Sequence, residues 1–253
     1  MQVKKIYSKV YTIEKNQYIK IKRNQLLILD ALMGDGSNKI YKGKNNKYYY
    51  SEHFGMLDIN KNGLDKLIVS AKTNRIDEDD DDIYFPGDVD DVYDYEFIFH
   101  THPPTSGLTR INDGILYEFP SIHDIYYFTE LYNKGKTQGS IVITPEGLYV
   151  ICTVDDNKVK YSKSEKIFNK MIDNLFEIQK EAINKYGMII TEDLYYNTII
   201  HDKYFINKYN NMIKTFFSNK IKIKYIPRKY DEKINKWYLP GFYISLNIIQ
   251  SLK

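Results

Sequence analysis

The chain carries a single cysteine, Cys152, among 253 residues. That excludes an internal disulfide and every zinc site built from several thiolates. Any metal must then be held by imidazoles and carboxylates. No apolar run approaches the ~20 residues of a membrane span, and the opening MQVKKIYSKV has no apolar signal core. The expectation is a reducing, intracellular setting without a membrane partner. Internal repeats and Gly/Ser linkers are also lacking. Lysine and arginine are missing from residues 77–96, which hold eleven Asp and Glu, whereas residues 157–253 hold eighteen Lys and Arg against nine Asp and Glu. Each block reads first as solvated surface. The Lys and Tyr residues of the basic half are dispersed and form no recognisable nucleic-acid module, so nucleic acid is not the expected partner.

What is present is enough for a proper core: 43% of the residues are hydrophobic. Twenty-five tyrosines, with abundant Ile, Lys and Asn, point to an AT-rich coding genome such as that of a virus or parasite. Residues 3–13 and 18–22 read as short strands with partial alternation. RNQLLILDALM (23–33) reads as a helix, ended by Gly34-Asp35-Gly36 through a left-handed cap, and 37–47 as a polar loop. YYYSEHFGMLDI (48–59) reads as a strand pair or bent strand, with Gly55 marking close backbone approach, and LDKLIVSAKTN continues the sheet. The acidic stretch 77–94 is too polar to order itself. YEFIFHTH is a central strand, nearly all apolar before its histidines.

Residues 121–133 read as a helix and SIVITPEGLYVICTV (140–154) as a hairpin turning at Pro145-Glu146-Gly147. Residues 164–186 hold a 3-4 apolar spacing through Ile167, Met171, Leu175, Ile178 and Ala182. Ser162 and Glu165 offer that helix a capping box and Gly187 stops it. A second helical stretch covers 191–217, and two late strands follow. The economical division is a domain over 1–155 and a C-terminal helical and strand extension over 156–253.

The strand raises a chemical question, because it ends in His100-Thr101-His102. In a strand, residues i and i+2 face the same side, so both imidazoles project together, close enough for one ion. Two surface histidines at a strand end would look the same. Pro120-Ser121-Ile122-His123-Asp124 follows. Alone, serine at an N-cap with an acid three residues on is a purely structural capping box.

Taken together, Glu52 with Gly55 and Leu57, His100, His102, Pro103, Pro120, Ser121 and Asp124 resemble the JAMM motif of the JAB/MPN metalloprotease family. GSIVITPEGLYVI resembles the strand-turn-strand after that family's metal helix. The resemblance covers roughly residues 20–155. It implies an α/β fold with an MPN-like mixed sheet and flanking helices. It implies Zn2+ held by His100, His102 and Asp124 with a fourth position open, Glu52 as the base, and Ser121 as donor to the oxyanion. The implied activity is a metallopeptidase cutting an amide, with a protein substrate such as a ubiquitin conjugate. The alternative is a non-catalytic MPN scaffold or structural component that binds protein partners.

Eighteen residues separate His102 from Ser121, a longer spacer than the family usually has. The apolar residues of this insertion, Leu108, Ile111, Ile115, Leu116, Tyr117 and Phe119, are too many for a freely solvated loop. They are expected to form a lid or one wall of a substrate groove. His53, His123 and His201 read as structural or exposed, Asp113 as no more than a stray ligand. Asp79 to Asp82 lack the spacing of a calcium loop.

Overall fold

A computed structural model describes residues 2–6, 9–13, 17–38, 40–42, 48–69, 97–103, 109–246 and 249–250. The acidic stretch 77–94, the tetrad Asp79 to Asp82 and Leu108 of the insertion lie outside the described residues. In chain order the strands and helices are β1 (Gln2–Ile6), β2 (Lys9–Ile13), β3 (Gln17–Ile21), α1 (Arg23–Asn38), β4 (Ile40–Lys42), β5 (Tyr48–Tyr50), β6 (Phe54–Asn60), β7 (Gly63–Val69) and β8 (Phe97–Thr101). Then come α2 (Ile122–Asn133), β9 (Gly139–Ile143), β10 (Gly147–Thr153), α3 (Glu165–Tyr186), α4 (Glu192–Asn197), α5 (Lys203–Phe216), β11 (Ile221–Pro227), β12 (Lys229–Asp231), β13 (Lys236–Tyr238), β14 (Phe242–Leu246) and β15 (Ile249–Gln250).

Six of these strands make one mixed sheet in the order β11-β10-β9-β8-β6-β7. Only the β8–β9 pair within it is parallel. A parallel pair needs a crossover, since no tight turn can return the chain to the same end; α2 lies on that crossover. Strand alternation sends the side chains of the sheet into two cores. On one face Phe97, Phe99, Ile141, Ile143 and Leu57 meet Leu26 and Leu29 of α1 and the buried side of the β3–β14 pair, Ile19, Ile21, Phe242 and Ile244. On the other, Val142, Tyr149, Ile151, Ile221 and Ile223 meet α2, α3, α4 and α5 through Phe128, Met171, Tyr195 and Tyr209. The molecule is therefore mixed α/β, a sheet between two covering layers.

The residues after 155 supply much of this. β11 forms the sheet edge against β10, and α3 to α5 provide most of one core. The 3-4 spacing predicted for α3 is present, with Met171, Ile178 and Ala182 buried and Gly187 ending the helix at φ 84. Its start differs from the expectation: Ser164 is the N-cap, without a side-chain bond, and Ser162 Oγ instead accepts from Ser164 N. The stretch 191–217 is not continuous. Thr191 and Asp202 each cap a separate helix, with a 3-10 turn at Ile199–His201 between them. At the other end, β1 and β2 pair antiparallel within the region 3–13, and β4 lies in the 37–47 stretch read as a loop, paired with β5.

Helix α1 also departs from expectation. It runs through Gly34 and Gly36 to Asn38, and neither glycine has a positive φ. Gly36 serves close approach instead: a Cβ there would lie 2.2 Å from Ser51 O. The extra turn carries Asp35 to His53, with Oδ2 2.9 Å from Nε2.

Gly55 does mark a tight contact, since its Cβ would meet Ile68 O at 1.9 Å and the Phe99 ring at 2.6 Å, whereas a Cβ on Gly34 meets nothing within 4 Å. Opposite effects follow. Gly55→Ala is expected to lower unfolding free energy by about 1–3 kcal/mol, the cost of overpacking. Gly34→Ala is expected to raise it by about 0.5–1 kcal/mol through helix propensity. Urea titrations of both variants check the pair of signs.

Candidate metal centre

All five residues of β8 are buried, as expected of an interior strand. Its register places Phe54 of β6 opposite His100, and the two rings stack with centroids 5.8 Å apart. Pairing continues beyond the last residue assigned to the strand. Thr101 N donates to His53 O at 3.0 Å and His102 N donates to Ile143 O at 2.8 Å. His53 N donates to Thr101 Oγ1 at 2.9 Å. The same register, carried two residues further, sets Glu52 opposite His102 on the face shared with His100.

Helix α2 begins beside them. Ser121 is its N-cap: Oγ accepts from Asp124 N at 3.1 Å, and Ser121 N donates to Asp124 Oδ2 at 2.6 Å. The capping box is thus real, but it does not exhaust Asp124. The same Oδ2 lies 3.2 Å from His100 Nε2 and 3.4 Å from His102 Nε2, and the two Nε2 atoms are 3.0 Å apart. The capping bond and the approach to the histidines coexist on one oxygen, because a carboxylate oxygen has lone pairs for a backbone N–H and for a second partner.

These three residues can hold a metal ion. The separations test the fit. Ligands bonded at about 2.0–2.1 Å to a tetrahedral ion sit roughly 3.3 Å from one another, and the observed 3.0, 3.2 and 3.4 Å bracket that edge. His100 is 3% exposed, whereas His102 and Asp124 at 9% form the solvent-side lip. The three donors leave a fourth position for a small ligand from that side.

Electrostatics in the metal-free site follow from this crowding. Burial pulls the His102 pKa down, but the hydrogen bond and charge of Asp124, with the more distant charges of Glu52 and Glu118, raise it to about 9. Burial pushes Asp124 up, and the two histidines override this and hold it well below the usual carboxylate range.

Glu52, Ser121, His100, His102 and Asp124 therefore come together at one end of the sheet. The other titratable candidates do not join them. His53 points to the opposite face and meets Asp35. His123 is exposed against the edge of Phe168, His201 is exposed, and Asp113 is exposed in a 3-10 turn at Ile111–Asp113. The insertion does not behave as the expected lid: Leu116, Tyr117 and Phe119 are core residues. It also brings a buried pair that sequence reasoning missed. Glu118, 2% exposed, binds Arg110 through Nε at 2.8 Å and Nη2 at 2.6 Å. A lone acid within an apolar run was the available signal, and it names no partner. Glu146, wholly buried at the β9–β10 turn, accepts from Tyr149 and Tyr195; burial and nearby Glu118 raise its carboxyl to about 7.

A proton must leave His102 before its Nε2 can bind an ion. Affinity for a divalent ion is expected to strengthen by about tenfold per pH unit from neutrality and to level off as pH passes about 9. A profile already flat above about 6.5, read by chelator competition, would contradict the raised pKa. In the metal-free protein the sign for stability is opposite. The His102 contribution is complete below about 6.5 and fades as pH rises through about 9. The Asp124 contribution is present above about 3.9 and fades as pH falls through its depressed value.

No family model matches the chain, and no solved structure matches it. An uncharacterized protein of Acanthamoeba polyphaga mimivirus is 33% identical over 237 residues, an alignment covering 90% of this chain and 65% of the mimivirus protein. The chain thus spans about two thirds of that relative's length. Among the described residues no helix is long and apolar enough to cross a membrane.

Proposed function

We propose that this chain is a zinc metallopeptidase of the JAB/MPN type that hydrolyses an amide or isopeptide bond, releasing ubiquitin or a related modifier from a protein. The observation that carries the reading is the meeting of His100, His102 and Asp124 at tetrahedral spacing, with the charge of Glu52 near enough to act on His102. Zinc bound there would polarise the scissile carbonyl and acidify water at neutral pH. Glu52 would take the attacking water's proton and return it to the leaving nitrogen. Ser121 spends a lone pair on Asp124 N, which leaves its hydroxyl proton to donate to the oxyanion of the tetrahedral intermediate. Asp124 would keep its oxygen ionised through the histidines and the positive end of α2. A relative encoded by a mimivirus fits the AT-rich composition, and a viral enzyme of this class would act on modifiers of host proteins.

Purified protein is expected to carry close to one zinc per chain by elemental analysis, and His100→Ala with His102→Ala to carry none. Glu52→Gln is expected to retain zinc and lose cleavage of isopeptide-linked ubiquitin conjugates by about two to four orders of magnitude. Wild-type cleavage by Glu52→Gln would remove the base from the scheme. A zinc-loaded wild type that cuts no conjugate or peptide would favour a binding scaffold instead.

A further inference from the structure

The region after residue 155 reaches the metal centre through the insertion. Gln179 lies on the buried side of α3 between Ile178 and Ala182 and is itself 4% exposed. A carboxamide there is costly unless its donors and acceptors are matched. They are matched by the backbone of the insertion. Gln179 Oε1 accepts from Leu116 N at 3.0 Å and from Tyr117 N at 3.1 Å, and Nε2 donates to Tyr117 O at 2.6 Å. Two tyrosine hydroxyls complete the attachment. Tyr117 donates to Ile199 O at 2.8 Å, and Tyr209 of α5 donates to Pro120 O at 2.9 Å. Phe119 lies flat on the Tyr209 ring, with centroids 4.5 Å apart and planes 8° from parallel.

The segment held this way ends at Ser121, the N-cap that carries Asp124 to the histidines. Tyr209 is also close enough to feel the Asp124 charge. Ile122, Ile125 and Phe128 seat α2 in the core, and a metal ligand needs its first turn held to within tenths of an ångström, to which direct bonds on the preceding residues add. We infer that Gln179 and Tyr209 are positioning residues of the metal centre, holding residues 116–120 so that Asp124 Oδ2 stands on the His100–His102 pair. This rests on the metal site proposed above. It gives the C-terminal helices a task in the chemistry, and it makes residues 116–120 the link between those helices and the site.

The test compares three single variants of the full chain. Tyr209→Phe removes one hydroxyl and keeps the stacked ring, Gln179→Leu removes the carboxamide, and Met171→Ala opens a cavity on the buried side of α3 without removing a hydrogen bond to residues 116–120. Each is assayed well below its melting temperature for zinc affinity by chelator competition and for the visible spectrum of the Co2+ form, which reports ligand geometry. Tyr209→Phe and Gln179→Leu are expected to weaken zinc by about tenfold or more, the usual effect of losing an outer-sphere partner, and to alter the Co2+ spectrum. Met171→Ala is expected to lower the melting temperature while binding zinc within about twofold of wild type, because it removes packing and none of the bonds that hold residues 116–120. Wild-type affinity and spectrum in Tyr209→Phe would overturn the inference even if Gln179→Leu fails to fold. An equal loss of affinity in Met171→Ala would also overturn it, by showing that general loosening is the cause. A wild type that binds no metal would instead remove the metal centre itself, and this inference with it.

Discussion

The site depends on one backbone arrangement, the parallel pairing of β8 with β9, which persists past the end of β8 so that His102 N still reaches Ile143 O. Two consequences follow from topology alone. The interior position of β8 holds the backbone of both histidines from either side, so their imidazoles leave the sheet in a fixed direction. The crossover demanded by parallel strands also brings a helix back over the sheet with its N-terminus near the carboxyl end of β8. An acid in the first turn of that helix is thereby delivered to the histidines. Asp124 is that acid, and its first duty is to cap the helix that places it.

Residue types and spacings therefore made the ligands legible. A pair at i and i+2 on an apolar strand, followed by a serine and an acid three apart, specifies local geometry at both ends, and the fold has only to bring the ends together. Glu52 was less legible, because its position depends on the β6–β8 register, a non-local fact. Helix α1 misled for a physical reason: glycine near a helix end ordinarily signals a left-handed cap, but here Gly36 removes a Cβ from the path of Ser51 O. The break in the 191–217 stretch was written in Asp202, a capping side chain that the apolar periodicity around it obscures.

The insertion shows where sequence reasoning stops. Its apolar content correctly demanded a place to pack, yet whether Leu116, Tyr117 and Phe119 face a substrate or a core is decided by helices that begin more than forty residues further along the chain. Gln179 and Tyr209 carry no sequence signature of their attachment. A buried glutamine is unusual enough to be informative once seen, but burial cannot be read from one polar residue on an amphipathic helix. The Arg110–Glu118 pair is similar, since its two partners are separated by a turn and are joined only because the segment folds back on itself.

The pairing of β3 with β14 joins residues 17–21 to residues 242–246, which ties the fold to the order of its own synthesis. At roughly 5–20 residues per second, His100 leaves the ribosome on the order of 5–20 s before Tyr209 does. During that interval the nascent chain has its two histidines but lacks the helices that steady their carboxylate partner. The covering layer beside α1 waits longer still, for β14. A candidate site supported from such distant parts of the sequence can come together only after α5 has been made, so an ion held there would be acquired after that point.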